Sequence, residues 1–326
     1  MEFTSRSTML PVENTIGVVE KIISSPTGDS SEVESLTDTV IRLESPVPEE
    51  VKENAYVVEN ITYTPEVSIH DNIFKETPTR GILVTTRKPI VIENNTFDGM
   101  GMAGIYISND AQGWYESGPT RDVTIRNNTF TRGKAQAIYV DPTNPNVSTT
   151  QTVHENMTIE GNTFYLENQS VLDAKSVKDL TFKNNKIYRQ DPSVTLTASA
   201  ENTQLAVGES EKISVETNGT KQDKNLYKFN GCKNVVLENN SYDGGMNLKA
   251  EIQNMDASEI KLKGDHIAIN GGGNMTETAG DIYYVSSDEN ILKVSDTGIV
   301  TAVGEGTASI RTFAVSGGRK IRRKYH

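Results

Sequence analysis

The 326-residue sequence is poor in several things, and each scarcity excludes a class of protein. A single cysteine, Cys232, leaves no intramolecular disulfide framework and no cysteine-based zinc site. Four scattered histidines argue against a His-rich metal site. No apolar run approaches the roughly 18 residues that a membrane-spanning helix requires. No long basic tract offsets the net charge of −12, from 44 acidic against 32 basic residues, so nucleic acid and anionic membranes are poor partners. The opening Met1-Glu2-Phe3-Thr4-Ser5-Arg6 lacks the basic start and apolar stretch of a signal peptide and reads as the start of a fragment. Helical periodicity is nearly absent. Asn, Thr, Val and Ile dominate, and the predicted fold class is all-β.

What the sequence has instead is a repeat. A short β-run ending in Asn-x-(Phe/Ile/Tyr) recurs, with its key asparagine at Asn72, Asn95, Asn128, Asn162, Asn185 and Asn240. The spacings are 23, 33, 34, 23 and 55 residues. The number 23 is the base period, and the longer intervals are that period plus insertions. A second run begins nine residues after the asparagine, at Gly81, Gly104, Ala137 and Val171, so the extra residues lie beyond it. Three short strands per 23 residues describe a right-handed parallel β-helix. The asparagines are expected to stack at one corner, where they tolerate left-handed backbone and bond one another in a ladder.

The excess before Asn240 covers residues 193–222 and alternates like surface strands. The tail from 266 also changes character, with short strands punctuated by Gly and Asp. The expected organisation is β-helix over 1–192, an insertion over 193–222, the last coils over 223–265 and a terminal module over 266–326. Insert and tail together, about 85 residues, approach the roughly 100 of an immunoglobulin-like sandwich.

Chemistry is expected in the two coil insertions, which follow the same strand on adjacent coils. Stacked loops on one edge wall a groove, and loops carry function more often than scaffold strands do. The first loop, residues 109–120, holds the only tryptophan, Trp114, beside Tyr115, Asp110 and Glu116. The second opens at Asp141. Alignment by coil offset places Asp110 and Asp141 on one edge, with carboxyl groups roughly 5–10 Å apart, a range that covers both retaining and inverting glycosidases. Paired carboxylates beside an indole and phenols suit a sugar, because acids move protons and rings stack on C–H faces. Tyr106 and Tyr139 alternate with core positions and should point outward onto the same face. Arg80, on the coil before, is placed to bond hydroxyls or balance an acid. Like charges crowded beside Trp114 are expected to raise the pKa of at least one of the three acids. Asp98 and Asp122 read as turn residues and Cys232 as core.

The stretch from Val58 to Phe130, with its RGILVTT (Arg80–Thr86) and DAQGWYESG (Asp110–Gly118) motifs, resembles glycoside hydrolase family 110. Glu155 to Ile187 is similar to the same family, and the opening FTSRSTML looks like one of its earlier coils. The resemblance implies an exo-acting α-1,3-galactosidase with an inverting, metal-independent and cofactor-free mechanism on glycans with terminal α-galactose. It implies catalytic roles for Asp110, Glu116 and Asp141; the residue pattern itself offers Arg80, Trp114, Tyr115, Tyr106 and Tyr139 as substrate contacts. The LAVGES segment of the insert and the SSDENILKVSDTGIVTAVGEGTASI segment of the tail resemble a bacterial Ig-like domain of the group 2 type. That module suggests secretion or the bacterial cell surface. Two other readings stand beside this one. One is a β-helical carbohydrate enzyme of different linkage. The other is a non-catalytic carbohydrate-binding or surface protein. A uronate lyase would want a basic groove, which the acidic composition does not supply.

Overall fold

The computed structural model describes residues 1–13, 15–24, 40–116, 118–189, 225–242, 248–265, 267–270, 282–294, 300–305, 308, 310–316 and 319–323. Their centre is a parallel β-helix of three sheets. The first sheet stacks Val67–His70, Ile90–Glu93, Val123–Arg126, His154–Glu160, Val177–Lys183, Lys233–Glu238 and Ile260–Lys263. The second stacks Ile73–Lys75, Thr96–Asp98, Thr129–Thr131, Thr163–Leu166, Lys186–Arg189 and Ser241–Tyr242. The third stacks Ile82–Val84, Ile105–Ile107, Ile138–Val140, Leu172–Lys175, Tyr227–Asn230, Lys249–Gln253 and Ala268–Asn270.

Alternation along each strand decides which side chains enter the core. Ile90 and Ile92 point in while Val91 and Glu93 point out, and the pattern holds coil after coil. Register then turns alternation into columns: Ile92, Ile125, Ile159, Phe182 and Leu237 lie one above another. A second column stacks the rings of Phe74, Phe97, Phe130 and Phe164, with centroids 4.8–4.9 Å apart. Outside the first sheet the charges alternate by coil. Arg126 pairs with Glu93 at 2.6 Å, Lys183 with Glu160 at 3.0 Å and Lys263 with Glu238 at 3.6 Å. A slip of one residue would turn every column inside out, so inner and outer rows reinforce one register.

The predicted ladder is present. Asn95 Oδ1 accepts from the backbone N–H and Nδ2 of Asn72 at 3.0 and 3.1 Å. The same pair of bonds links Asn95 to Asn128, Asn128 to Asn162, Asn162 to Asn185 and Asn185 to Asn240. Two details differ from the sequence reading. The left-handed residue is the one before each rung: Asp71, Asn94, Asn127, Gly161, Asn184 and Asn239 have φ between 51° and 64°. The ladder also runs one rung further, to Asp265, whose two carboxylate oxygens accept from Asn240 at 2.9 and 2.7 Å. A carboxylate takes both of these bonds as acceptor, the only role it has when ionised.

The N-terminus differs from expectation as well. Glu2–Ser5 is no earlier coil: it pairs antiparallel with Tyr56–Glu59. Arg87 holds this pair to the helix, bonding Glu2 at 2.6 Å and gripping Glu59 through two nitrogens. Met9, fully buried, packs with Ala111 and Val153 of the two insertion loops. The tail forms antiparallel strands, Ile282–Ser286 with Ile310–Ser316 with Arg319–Arg323, and Leu292–Val294 with Val300–Ala302. The insert over 193–222, and therefore its predicted packing against the tail, lies outside the described residues.

Candidate active site

Both insertions leave the helix after a third-sheet strand, as the constant offset of nine requires, and together they build one edge. The first loop is organised by Asp110. Its carboxylate accepts the backbone N–H groups of Gln112, Gly113 and Trp114 at 2.7, 3.0 and 2.8 Å. Its own N–H donates to the Glu116 carbonyl at 2.7 Å. Burial works to raise the Asp110 pKa, but these amides and Thr143 outweigh it and hold the carboxyl below the usual aspartate range. The rise expected from crowded like charges is therefore not found at Asp110. Gly118 closes the loop: a Cβ there would lie 1.9 Å from the Thr85 carbonyl oxygen, and its φ is +131°.

Glu116, returned toward the helix by this turn, meets Arg80 at 3.7 Å. The Arg80 guanidinium lies 5.8 Å from the Tyr106 ring centroid. Tyr106 and Tyr139 are register partners on adjacent coils and stack at 5.2 Å with 16° between planes. Both hydroxyls converge on Asp141. Tyr139 donates to Oδ2 at 2.8 Å, and Tyr106 to the backbone carbonyl at 3.3 Å. Lys175, one coil further, stands 3.3 Å from Asp141 Oδ1. Burial, then the bond to Asp141, pushes the Tyr139 phenol well above its ordinary pKa, so it donates at any physiological pH.

The structure thus brings together Arg80, Tyr106, Glu116, Tyr139 and Asp141, with Asp110 behind them shaping the loop. Tyr115 and Trp114 stand apart on the outer side. Tyr115 lies under Arg6 of the N-terminal segment at 5.5 Å, and Trp114 is 82% exposed. Arg6 also donates to the Ala111 carbonyl at 2.8 Å, so the N-terminal segment straps the first loop.

Behind the loops His154 is fully buried. The Thr120 N–H donates to His154 Nδ1 at 3.0 Å, which leaves the proton on Nε2, an atom with no hydrogen-bond partner among the described residues. Burial, then the charge of Arg121, takes the His154 pKa down to about 3. Among the described residues no group of three or more His, Cys, Asp or Glu gathers as a metal site would require.

Sequence reasoning passed over two groups. Lys175 was visible as the coil partner of Asp141. Asp173 sits in register with Tyr139 and continues the outward row of Tyr106 and Tyr139. All three follow a ladder asparagine by eleven residues, a signal in the sequence that was open to reading. Gln136 donates to Asp173 at 3.4 Å and Lys228 lies 3.9 Å away.

The family model described as "Right handed beta helix region" matches residues 50–158. Three proteins named α-1,3-galactosidase A are similar to the chain. The one from Peterkaempfera griseoplana is 39% identical over 330 residues, covering 98% of this chain and 44% of that protein. The Streptomyces avermitilis protein is 38% identical over 247 residues, 76% of this chain and 35% of its own length. The Bacteroides thetaiotaomicron protein is 46% identical over 154 residues, 46% of this chain and 27% of its own. The chain is a parallel β-helix similar to α-1,3-galactosidases and spans less than half the length of these curated relatives.

Proposed function

We propose that the loop-bearing edge of this β-helix hydrolyses terminal α-1,3-linked galactose from glycans, acting from the chain end and inverting the anomeric carbon. The observation that carries the reading is the convergence of two tyrosine hydroxyls and a lysine on Asp141, one coil from Glu116 and two from its partner Arg80, in a chain similar to named α-1,3-galactosidases. Asp141 is the carboxylate that takes the proton of the attacking water. Arg80 and Glu116 hold sugar hydroxyls, and the Tyr106 and Tyr139 edges line the floor. Asp110 fixes the loop that delivers Glu116. Exposed Trp114 and Tyr115 offer ring faces to the aglycone side. The antiparallel tail belongs to an Ig-like module of a secreted or surface-displayed protein. No cofactor or metal is required.

The test is incubation of the chain with galactosyl-α-1,3-galactose. Release of free galactose supports the reading. Saturable binding of the disaccharide without release supports a non-catalytic carbohydrate-binding protein instead.

A further inference from the structure

The hydrolysis proposed above needs a second group, one that gives a proton to the departing oxygen, and we infer that Asp173 is that general acid, facing Asp141 across one coil step. This inference rests on the galactosidase reading. Asp173 lies outward on Leu172–Lys175, as Tyr139 does on the coil before. Tyr139 has the Tyr106 ring on one side along the stack and Asp173 next in register on the other. Asp141 is two residues beyond Tyr139. A step of one coil and two residues separates the backbones of Asp141 and Asp173 by about 8 Å. Inverting glycosidases hold their two carboxyl groups roughly 6.5–9.5 Å apart, which leaves room for water on the far face of the sugar.

The surroundings of the two acids differ in kind. Asp141 is bonded by a phenol and an ammonium. Asp173 is faced by Tyr139 and Asp141 from the preceding coil, Lys175 on its own strand, Lys228 from the following coil and Glu251 beyond it. Burial pushes the Asp173 carboxyl up. Lys228 and Gln136 pull it down, and Asp141 and Glu251 push it further up, with a net rise. Environments that drive two carboxyls apart divide the roles of acid and base between them. In the step, the Asp173 O–H proton passes to the glycosidic oxygen as the C1–O bond breaks and its electron pair leaves with that oxygen. Water attacks C1 from the opposite face and gives its proton to the Asp141 carboxylate. Solvent exchange then returns a proton to Asp173 and removes one from Asp141.

The experiment uses the full chain and two substrates. Galactosyl-α-1,3-galactose needs a protonated leaving group, whereas α-galactosyl fluoride releases fluoride with little help. Asp173→Asn is expected to lose about 10²- to 10⁴-fold on the disaccharide and to stay within about tenfold on the fluoride. Lys228→Gln removes a positive charge that lowers the acid's pKa. It is expected to move the basic limb of kcat/KM on the disaccharide to higher pH, a readout that holds even if Asp173→Asn does not fold. Equal losses on both substrates, no loss on either, or an unmoved basic limb would overturn Asp173 while leaving the galactosidase reading in place. A wild-type chain that hydrolyses neither substrate would overturn that reading and this assignment with it.

Discussion

The asparagine corner and the loop edge belong to the same coils and solve the same problem in opposite ways. Both must satisfy polar groups where the chain turns. At the corner one residue type does so by repetition: each buried Asn gives and receives the same bonds as the rung before it. In the edge loops the polar groups are satisfied one by one. Asp110 captures three amides, His154 accepts from Thr120, and the Asn144 and His154 side chains each keep a buried atom without a partner among the described residues. Repetition makes a rigid spine, because identical rungs brace one another. Irregularity at the edge costs satisfaction of polar groups, and it is there that unlike side chains can be brought to one point. The charged and phenolic groups around Asp141 are held at the edge, against the spine's regularity, as the proposed site on a rigid scaffold requires.

Substitutions in the two regions should therefore fail differently. The largest effect on stability is expected at mid-ladder. Asn162→Ala strips the acceptor from the Asn128 N–H and Nδ2 and removes the donor to Ile125 O and Asn185 Oδ1. Leaving several buried groups unpaired costs about 4 kcal/mol or more, read as a fall in the denaturant midpoint. The same change at exposed Asn72, the first described rung, should cost far less. A similar loss at both rungs would mean that the ladder is not cooperative.

At the edge the loss should fall on chemistry. Asp141→Asn keeps shape and removes charge. It is expected to lower turnover of the disaccharide by at least about 100-fold with little change in melting temperature. If melting falls and turnover does not, Asp141 belongs to the scaffold.

His154 links the regions through pH. Its pKa in the fold, about 3, lies below the ordinary value of 6.5. Between these values the unfolded chain binds a proton that the folded chain refuses, so stability falls as pH drops below about 6.5, by up to about 1.4 kcal/mol per pH unit. His154→Gln should flatten that slope in urea titrations across pH 4–6.5, and an unchanged slope would place the acid sensitivity elsewhere. The smallest effect is expected at Asp98, a second-sheet residue paired with Arg132 at 2.6 Å on the exposed surface. Asp98→Asn should leave turnover within about twofold, since it does not touch the groups proposed to move protons.

The corner was legible because it repeats. Period, offset and the Asn-x-Phe run led to three sheets, the ladder and the place of both loops. Even there, the left-handed backbone was ascribed to the rung itself rather than to the residue before it, because Asn-Asn pairs do not distinguish the two. The last rung was hidden because Asp265 is not an asparagine. The edge was legible only in part. Tyr106, Tyr139 and Asp141 followed from coil offset, which fixes direction. The role of Asp110 did not, since capture of its own loop's amides depends on a turn that no periodicity encodes. The strap made by Arg6 and Met9 joins residues 105 and 100 positions apart and leaves no local trace.

The most direct test of the central claim is proton NMR of the first galactose released from galactosyl-α-1,3-galactose, recorded before mutarotation mixes the anomers. An acid and a base on backbones about 8 Å apart across one coil predict β-galactose first, with the α-anomer growing in afterwards. α-Galactose first, or no galactose at all, would contradict an inverting site on this edge.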